Sequence, residues 1–521
     1  MKHRYFAWLL LIAGMVWCRA GFVEDVFYNI DEAEYAVAGS AMNHGWLPGV
    51  DLLGSTKPPG ISALFNVLFH IFGHNLGAVH VVHVVIMIAT GMLVMELAIA
   101  LWGMAAAIPA AVLFWMVSNT YHIPSETLAL NVESPEMLLA VAALLLAWMK
   151  PQKRWALVVA GAALGMGALF RQSVVFFALP MAAAIWREPS RRLYRMSHVA
   201  AGFVLAWLPL LAIYAASGAL GWAWDSWVRY PIAYSGDGGM EMFFGALNDY
   251  GSTFVTEATV PLALLIGGII LQWRDRSTPR AKFLLWMTAA ATLALCAGSR
   301  FFGHYWIQIF PVATLLGVSV WLKLAQGTKV MKRLLGAAVV IGGIMAILHF
   351  PTWRSWDPDP IPAGFGHYSI GADQLEVTIG HFARANTTQD ETITVWGYCP
   401  QIYYYADRLP GTRDYLCHYT TGYSPGTFDP TAERAVRSEG HPQAKQMFLD
   451  DLEKRKPKYI IDLVQVRAYA FPFYNYSLRD YPELASYVRR NYLPEGKIGE
   501  ALIYRRRTAS DTWQPADQDV K

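Results

Sequence analysis

Near the start of the chain, the run Asp31-Glu32-Ala33-Glu34-Tyr35 sets three carboxylates within four positions. At helical spacing Asp31, Glu34 and Tyr35 share one face. Their neighbours Val26, Phe27, Ala36, Val37, Ala38, Ala41 and Met42 are apolar, so that face could turn toward a cavity. Four basic residues stand in four other segments. Lys57 precedes Pro58-Pro59-Gly60, Arg171 precedes Gln172, Arg229 lies within 219–257, and Arg300 precedes Phe301-Phe302-Gly303-His304-Tyr305. A carboxylate that removes the proton from an incoming hydroxyl supplies roughly 10²- to 10⁴-fold in rate. A leaving phosphate needs its developing charge stabilised rather than a proton. One acid and several cations therefore suffice to displace a lipid phosphate from a sugar, whereas glycoside hydrolysis expels an alkoxide and usually needs a second carboxyl group. The plainer reading is a solvated acidic loop, with arginines that anchor the ends of apolar segments.

Those segments are the elements that must do the positioning. Of 521 residues, 55% are apolar, 14% aromatic and 16% charged, and the mean hydropathy is +0.29. That excludes an ordinary soluble enzyme and a disordered chain. The 20 Trp and 26 Tyr suit two membrane interfaces, and a formal charge of +3 makes no case for nucleic acid. Residues 1–350 hold eleven apolar stretches near spanning length, from about 5–22 to 333–350. With the N-terminus inside, 17 basic residues fall on inner segments and five, Arg19 included, on outer ones. This distribution fits eleven spans. Residues 61–74 are too short to cross, and counting them would invert the charge bias, so they read as a helix in the outer interface. Residues 1–22 also carry marks of a signal peptide. Under either reading 23–60 is an outer loop.

Residues 351–521 read as an extracytoplasmic α/β domain after a Pro/Gly-rich linker at 357–366. Helices are expected at 372–385 (Leu375, Ile379 and Phe382 on one face), 442–455 and 481–492, with β structure at 392–405, 458–466 and 498–504. Alternating helix and strand suggests a small covered sheet. Cys399 and Cys417 both fall here, and a bridge between them would be worth roughly 3 kcal/mol. No metal-ligand spacing, Walker loop or dinucleotide fingerprint is present. A divalent ion, Mg²⁺ or Mn²⁺, held by two outer carboxylates stays open.

Several motifs in order carry a resemblance: a first span followed by DEAEY, KPPG before a short apolar helix, Asn131-Val132-Glu133 opening a span, FRQ at 170–172 and RFFGHYWIQIFP at 300–311. Across about residues 5–350 the chain resembles the GT-C class of membrane glycosyltransferases, particularly the branch of protein O-mannosyltransferases and lipid A aminoarabinose transferases (glycosyltransferase family 39-like). The resemblance implies a multi-pass GT-C fold in the cell inner membrane and a polyprenyl-phosphate sugar as donor. It implies a hydroxyl-bearing lipid, glycan or protein as acceptor. It maps Asp31 as base with Glu32 beside it, and Lys57 and Arg300, then Arg229 and Arg171, on the donor phosphate. Tyr35, Asp51, Glu133, His304 and Tyr305 would line the donor and acceptor sites. Aminoarabinose transferases carry an acid directly before the lysine, where this chain has Thr56. The competing function class is a sugar-lipid flippase, whose expected mark is ionisable residues within the spans.

Overall fold

The computed structural model describes residues 2–54, 57–119, 124–236, 239–257, 259–348, 375–422, 443–465 and 476–511. The linker expected at 357–366, Thr56 and most of the final dozen residues lie outside them. The chain forms two compact units. One comprises Met1–Asp25, Asn75–Leu220 and Met240–Trp356, and the other Val26–His74, Gly221–Gly239 and Asp357–Lys521. Residues 26–74 thus group with the C-terminal residues, not with the apolar helices that flank them in sequence.

The first unit is helical and apolar on outward as well as inward faces; Val204, Leu205 and Leu208 of the Arg192–Ala216 helix are exposed, as suits helices surrounded by lipid. Among the described residues, four helices are long and apolar enough to cross a membrane: His3–Phe22, Leu76–Trp102, Arg192–Ala216 and Gly303–Ala325. Five shorter apolar helices accompany them, Gly60–Phe72 of the second unit included. Small residues let these helices approach closely. A methyl group added at Gly161 would stand 2.0 Å from the Val199 carbonyl oxygen, and one at Gly202 would stand 2.0 Å from that of Val158. Arg19 was expected to reach toward the interface. It is instead buried, donating to Asn119 Oδ1 at 3.2 Å, the Thr127 carbonyl at 2.9 Å and the Ser118 carbonyl at 3.0 Å. A planar guanidinium has five N–H groups, and these acceptors make its burial tolerable.

In the second unit, a sheet of four strands runs β1 (Ile393–Trp396), β2 (Tyr459–Asp462), β3 (Tyr492–Ile498) and β4 (Ala501–Arg506) in chain order, and β1-β2-β4-β3 in space. β1 and β2 are parallel, with Ile393 opposite Tyr459 and Trp396 opposite Asp462. Both strands are buried along their whole length, as expected of a parallel pair. The three expected helices form, at Leu375–Asn386, Ala444–Arg455 and Pro482–Asn491. One expectation fails: the aromatic run after Trp396 is not strand, because Gly397 (φ +153) turns the chain and Pro400 starts a helix at Gln401–Ala406. The strand expected at 498–504 forms as β4, in a hairpin turning at Gly499 (φ +57) whose partner β3 is a polar edge without apolar alternation.

The first loop supplies two helices to this unit, Ile30–Met42 and Gly60–Phe72. The second has 13 residues, about 20 Å at helical rise, short of the hydrocarbon thickness. Asn66 Nδ2 donates to the Gly39 carbonyl at 3.0 Å. The pair also binds the C-terminal residues: Tyr415 Oη donates to the Glu34 carbonyl (3.3 Å), Leu53 N to the Arg413 carbonyl (2.7 Å), and His74 stacks on Tyr404 at 4.9 Å. Alanines and Gly39 allow the acidic helix to be buried on nearly every side.

A side chain at position 39 would meet Phe65 Cβ at 2.6 Å and the Asn66 backbone nitrogen at 2.9 Å. Gly39→Val is therefore expected to cost about 2 kcal/mol, seen as a lower melting temperature of the detergent-solubilised chain. Gly336→Ala, where an added methyl meets nothing within 4 Å, should leave it unchanged.

Candidate active site

Local sequence sets the start of the acidic helix. Asn29 accepts from Glu32 N at 2.9 Å, and Glu32 Oε2 accepts from Tyr28 N at 3.1 Å. This reciprocal cap is the reason for Asn and Glu three residues apart. Glu32 is fully buried in that duty. Asp31, one position earlier, faces Lys57 instead. Lys57 Nζ lies 3.2 Å from Asp31 Oδ2, which also accepts from Tyr35 Oη at 3.4 Å. Lys57 Nζ further donates to Tyr35 Oη and stands 4.9 Å from the centre of its ring. Pro58 and Pro59 fix the chain as it enters the next helix and so hold the lysine in place. The Asp31 side chain remains 23% exposed and that of Lys57 15%, enough for a reactant to reach them.

Two other predicted residues of this unit take different roles. Asp51 Oδ2 accepts from Leu47 N at 2.9 Å and closes the turn 47–51. Arg229 ends a π-helical turn, Asp225–Arg229, 4.0 Å from Asp225 Oδ1, with its side chain 58% exposed. Such a pair holds a side chain only weakly.

The first unit brings its own candidates together. Arg171 pairs with Glu133, both buried, and its guanidinium lies 3.7 Å from the centre of the Tyr305 ring. His304 Nδ1 contacts Glu126, and its Nε2 is 3.9 Å from Glu133 Oε1. Ser173 Oγ donates to Glu136 Oε1 at 3.2 Å and lies 3.4 Å from Gln308 Oε1. Glu133 and Glu136 are both fully buried. Arg300 is buried between Ser299 (φ 54) and Phe301 (φ 53). Non-glycine residues in the left-handed region on both sides of it store backbone strain. Among the described residues, no group of three or more His, Cys, Asp or Glu could hold a metal ion.

Sequence reading passed over a cluster in the C-terminal residues. His418 is buried and stacks on Tyr398 at 4.7 Å. Burial pushes its pKa down to about 3, against the opposing pull of Asp31. Asp414 Oδ2 accepts from Thr420 N at 2.6 Å, and burial pushes its carboxyl up to about 6. Asp462, at the end of β2, is likewise pushed up to about 7 by burial. The cluster had no spacing to betray it; only Cys417, next to His418, drew attention. The possible Cys399–Cys417 bridge is not formed in this structure: Cys399 Sγ lies 3.4 Å from Gln401 Oε1 and Cys417 Sγ 3.5 Å from the Val395 carbonyl.

Residues 56–214 match the family model described as dolichyl-phosphate-mannose-protein mannosyltransferase, a span that includes Lys57, Glu133 and Arg171. None of the curated protein sequences matches the chain. Solved structures do. ArnT from Cupriavidus metallidurans in the apo state is 13% identical with a TM-score of 0.57, covering 97% of this chain and 98% of that one. The same protein bound to undecaprenyl phosphate gives 14% and 0.55, covering 97% and 99%. The archaeal oligosaccharyltransferase AglB from Archaeoglobus fulgidus, in complex with an inhibitory peptide and a dolichol-phosphate, gives 14% and 0.54, covering 98% and 75%. At these identities the likeness is one of fold.

Two measurements check this geometry. Arg171→Leu or Glu133→Leu alone leaves a buried charge and should cost about 3–5 kcal/mol, while the double variant should recover much of the loss in thermal unfolding. Asp414 and Asp462 hold their protons more tightly folded than at their ordinary 3.8. The stability this gives is complete below about pH 4 and is lost as pH rises through 6 to 7. Melting temperature should fall over that window, and Asp462→Asn should flatten its upper part.

Proposed function

We propose, from the premise that this chain is built on the fold of the GT-C membrane glycosyltransferases, that it is an inverting glycosyltransferase. It moves one sugar from a polyprenyl-phosphate donor to a hydroxyl acceptor, borne by a lipid, glycan or protein, on the outer face of the cytoplasmic membrane. The observation that carries this reading is the part-exposed Asp31 carboxylate held between Lys57 Nζ and Tyr35 Oη. Undecaprenyl phosphate bound to ArnT on the same fold supports the donor class.

In this reading Asp31 takes the proton of the acceptor hydroxyl. The acceptor oxygen bonds to the anomeric carbon from the face opposite the phosphate, the carbon–phosphate-oxygen bond breaks, and the electron pair leaves with the phosphate. A single displacement inverts the centre. Lys57 serves both ends of the reaction. Before donor binds, it neutralises Asp31; an arriving phosphate competes for its ammonium and releases the carboxylate to act as base. Arg229, of the same unit, then adds positive charge for the phosphate. Arg171, with Glu133 already opposite it, serves better to orient the His304–Tyr305 segment. The buried ionisable cluster at Glu133, Glu136 and Arg171 also favours a second reading, a sugar-lipid flippase.

The test is product formation in membranes supplied with radiolabelled polyprenyl-phosphate sugars. Asp31→Asn should lower transfer at least about 100-fold with insertion unchanged, and Lys57→Ala should raise the donor KM. Normal turnover by Asp31→Asn removes the proposed base. Sugar-lipid flux in reconstituted vesicles without any new glycosidic bond would establish the flippase instead.

A further inference from the structure

His418 is a buried histidine whose Nδ1 and Nε2 both lack a hydrogen-bond partner among the described residues. Leaving one buried polar atom unmet costs about 1–3 kcal/mol, and two on one ring call for a ligand or water. Its surroundings point to which. The ring stacks on Tyr398, two residues beyond the end of β1. Asp462 ends β2 in register with Trp396, the last residue of β1, and its Oδ2 is buried without a hydrogen-bond partner. The thiol of Cys417, beside His418, lies within electrostatic reach of both Asp414 and Asp462. All of these groups gather at the carboxyl ends of two parallel strands, where α/β sheets open a crevice for ligands.

We propose that this crevice, formed by His418, Asp414 and Asp462 and faced by Tyr398, binds neighbouring hydroxyls of a neutral sugar, the acceptor glycan. A neutral imidazole offers one donor and one acceptor, matching two hydroxyl groups. Carboxyl groups beside it offer an anion no positive charge, and the neighbouring Arg413 is committed to Asp451, with Nε 3.0 Å from Oδ2. The Tyr398 face suits the apolar side of a sugar ring. Helix His418–Thr421, which carries the histidine, stands between two left-handed residues, Cys417 (φ 60) and Gly422 (φ 70). The crevice belongs to the same unit as Asp31, joined to its helix through Tyr415 and the Glu34 carbonyl. Calling the bound sugar the acceptor rests on the proposed function; its binding does not.

The experiment is saturation-transfer NMR on full-length Asp31→Asn protein in nanodiscs, with a panel of neutral disaccharides and with inorganic phosphate as probes. Binding of at least one disaccharide is expected, weakened about tenfold by His418→Phe, which keeps a stacked ring and loses both nitrogens. Asp462→Asn serves as the second variant should His418→Phe fail to fold, and about the same weakening is expected. In the active chain, His418→Phe should raise the acceptor KM about tenfold with kcat within about twofold. The proposal is overturned if no disaccharide binds, if binding is indifferent to both variants, or if phosphate displaces the sugar. It is also overturned if a map at saturating disaccharide shows only water on the two ring nitrogens. A chain that binds the disaccharide and never transfers a sugar upholds the crevice and removes the glycosyltransferase reading alone.

Discussion

Buried charge must be answered, and that constraint governs both units. The acidic helix could not sink into the second unit with three carboxylates unless each met a partner. Glu32 spends its charge on the Tyr28 amide as part of the helix cap. Asp31 meets an ammonium and a phenol, delivered across 26 residues of chain by the Pro-Pro entry to the next helix. The first unit follows the same rule at Arg19 and at the Arg171–Glu133 pair. Where all bonds of a group are satisfied by its own helix, it holds shape. Where a group stays partly open, as Asp31 does, it is able to meet a reactant.

How much of this could be read from sequence depends on range. Asp31 and Tyr35 sit four apart on one helix, and their shared face follows from helical geometry. The Lys57 contact does not, since 26 positions of chain separate the two side chains and only packing closes the distance. Lys57 was consequently assigned to the phosphate alone. Arg171 and Glu133 read separately in the sequence, one as a phosphate ligand and the other as a lining residue of the donor and acceptor sites; that they neutralise one another is a fact of the helix crossings. Asp51 resembled a site acid only by proximity in sequence, and its carboxylate is used by its own turn.

Secondary structure failed where composition misleads. Tyr403, Tyr404 and Tyr405 carry high β propensity, but they follow Gly397 and Pro400, and the chain becomes helix there. β3 escaped notice because an exposed edge strand is written in polar residues. The grouping of the first loop with the C-terminal residues was equally hidden, because it arises from contacts such as Tyr415 with Glu34 that no periodicity encodes. Sequence identity of 13–14% to structures of the same fold makes the same point from outside: this fold tolerates wide substitution.

The unbridged cysteines carry a practical corollary. Since Cys399 and Cys417 are enclosed and each engages its own neighbour, the C-terminal fold owes nothing to a covalent staple. Its shape is set by the sheet and its aromatic packing, so reductants should not loosen it, and a host lacking thiol-oxidising machinery is as good a source as one that has it.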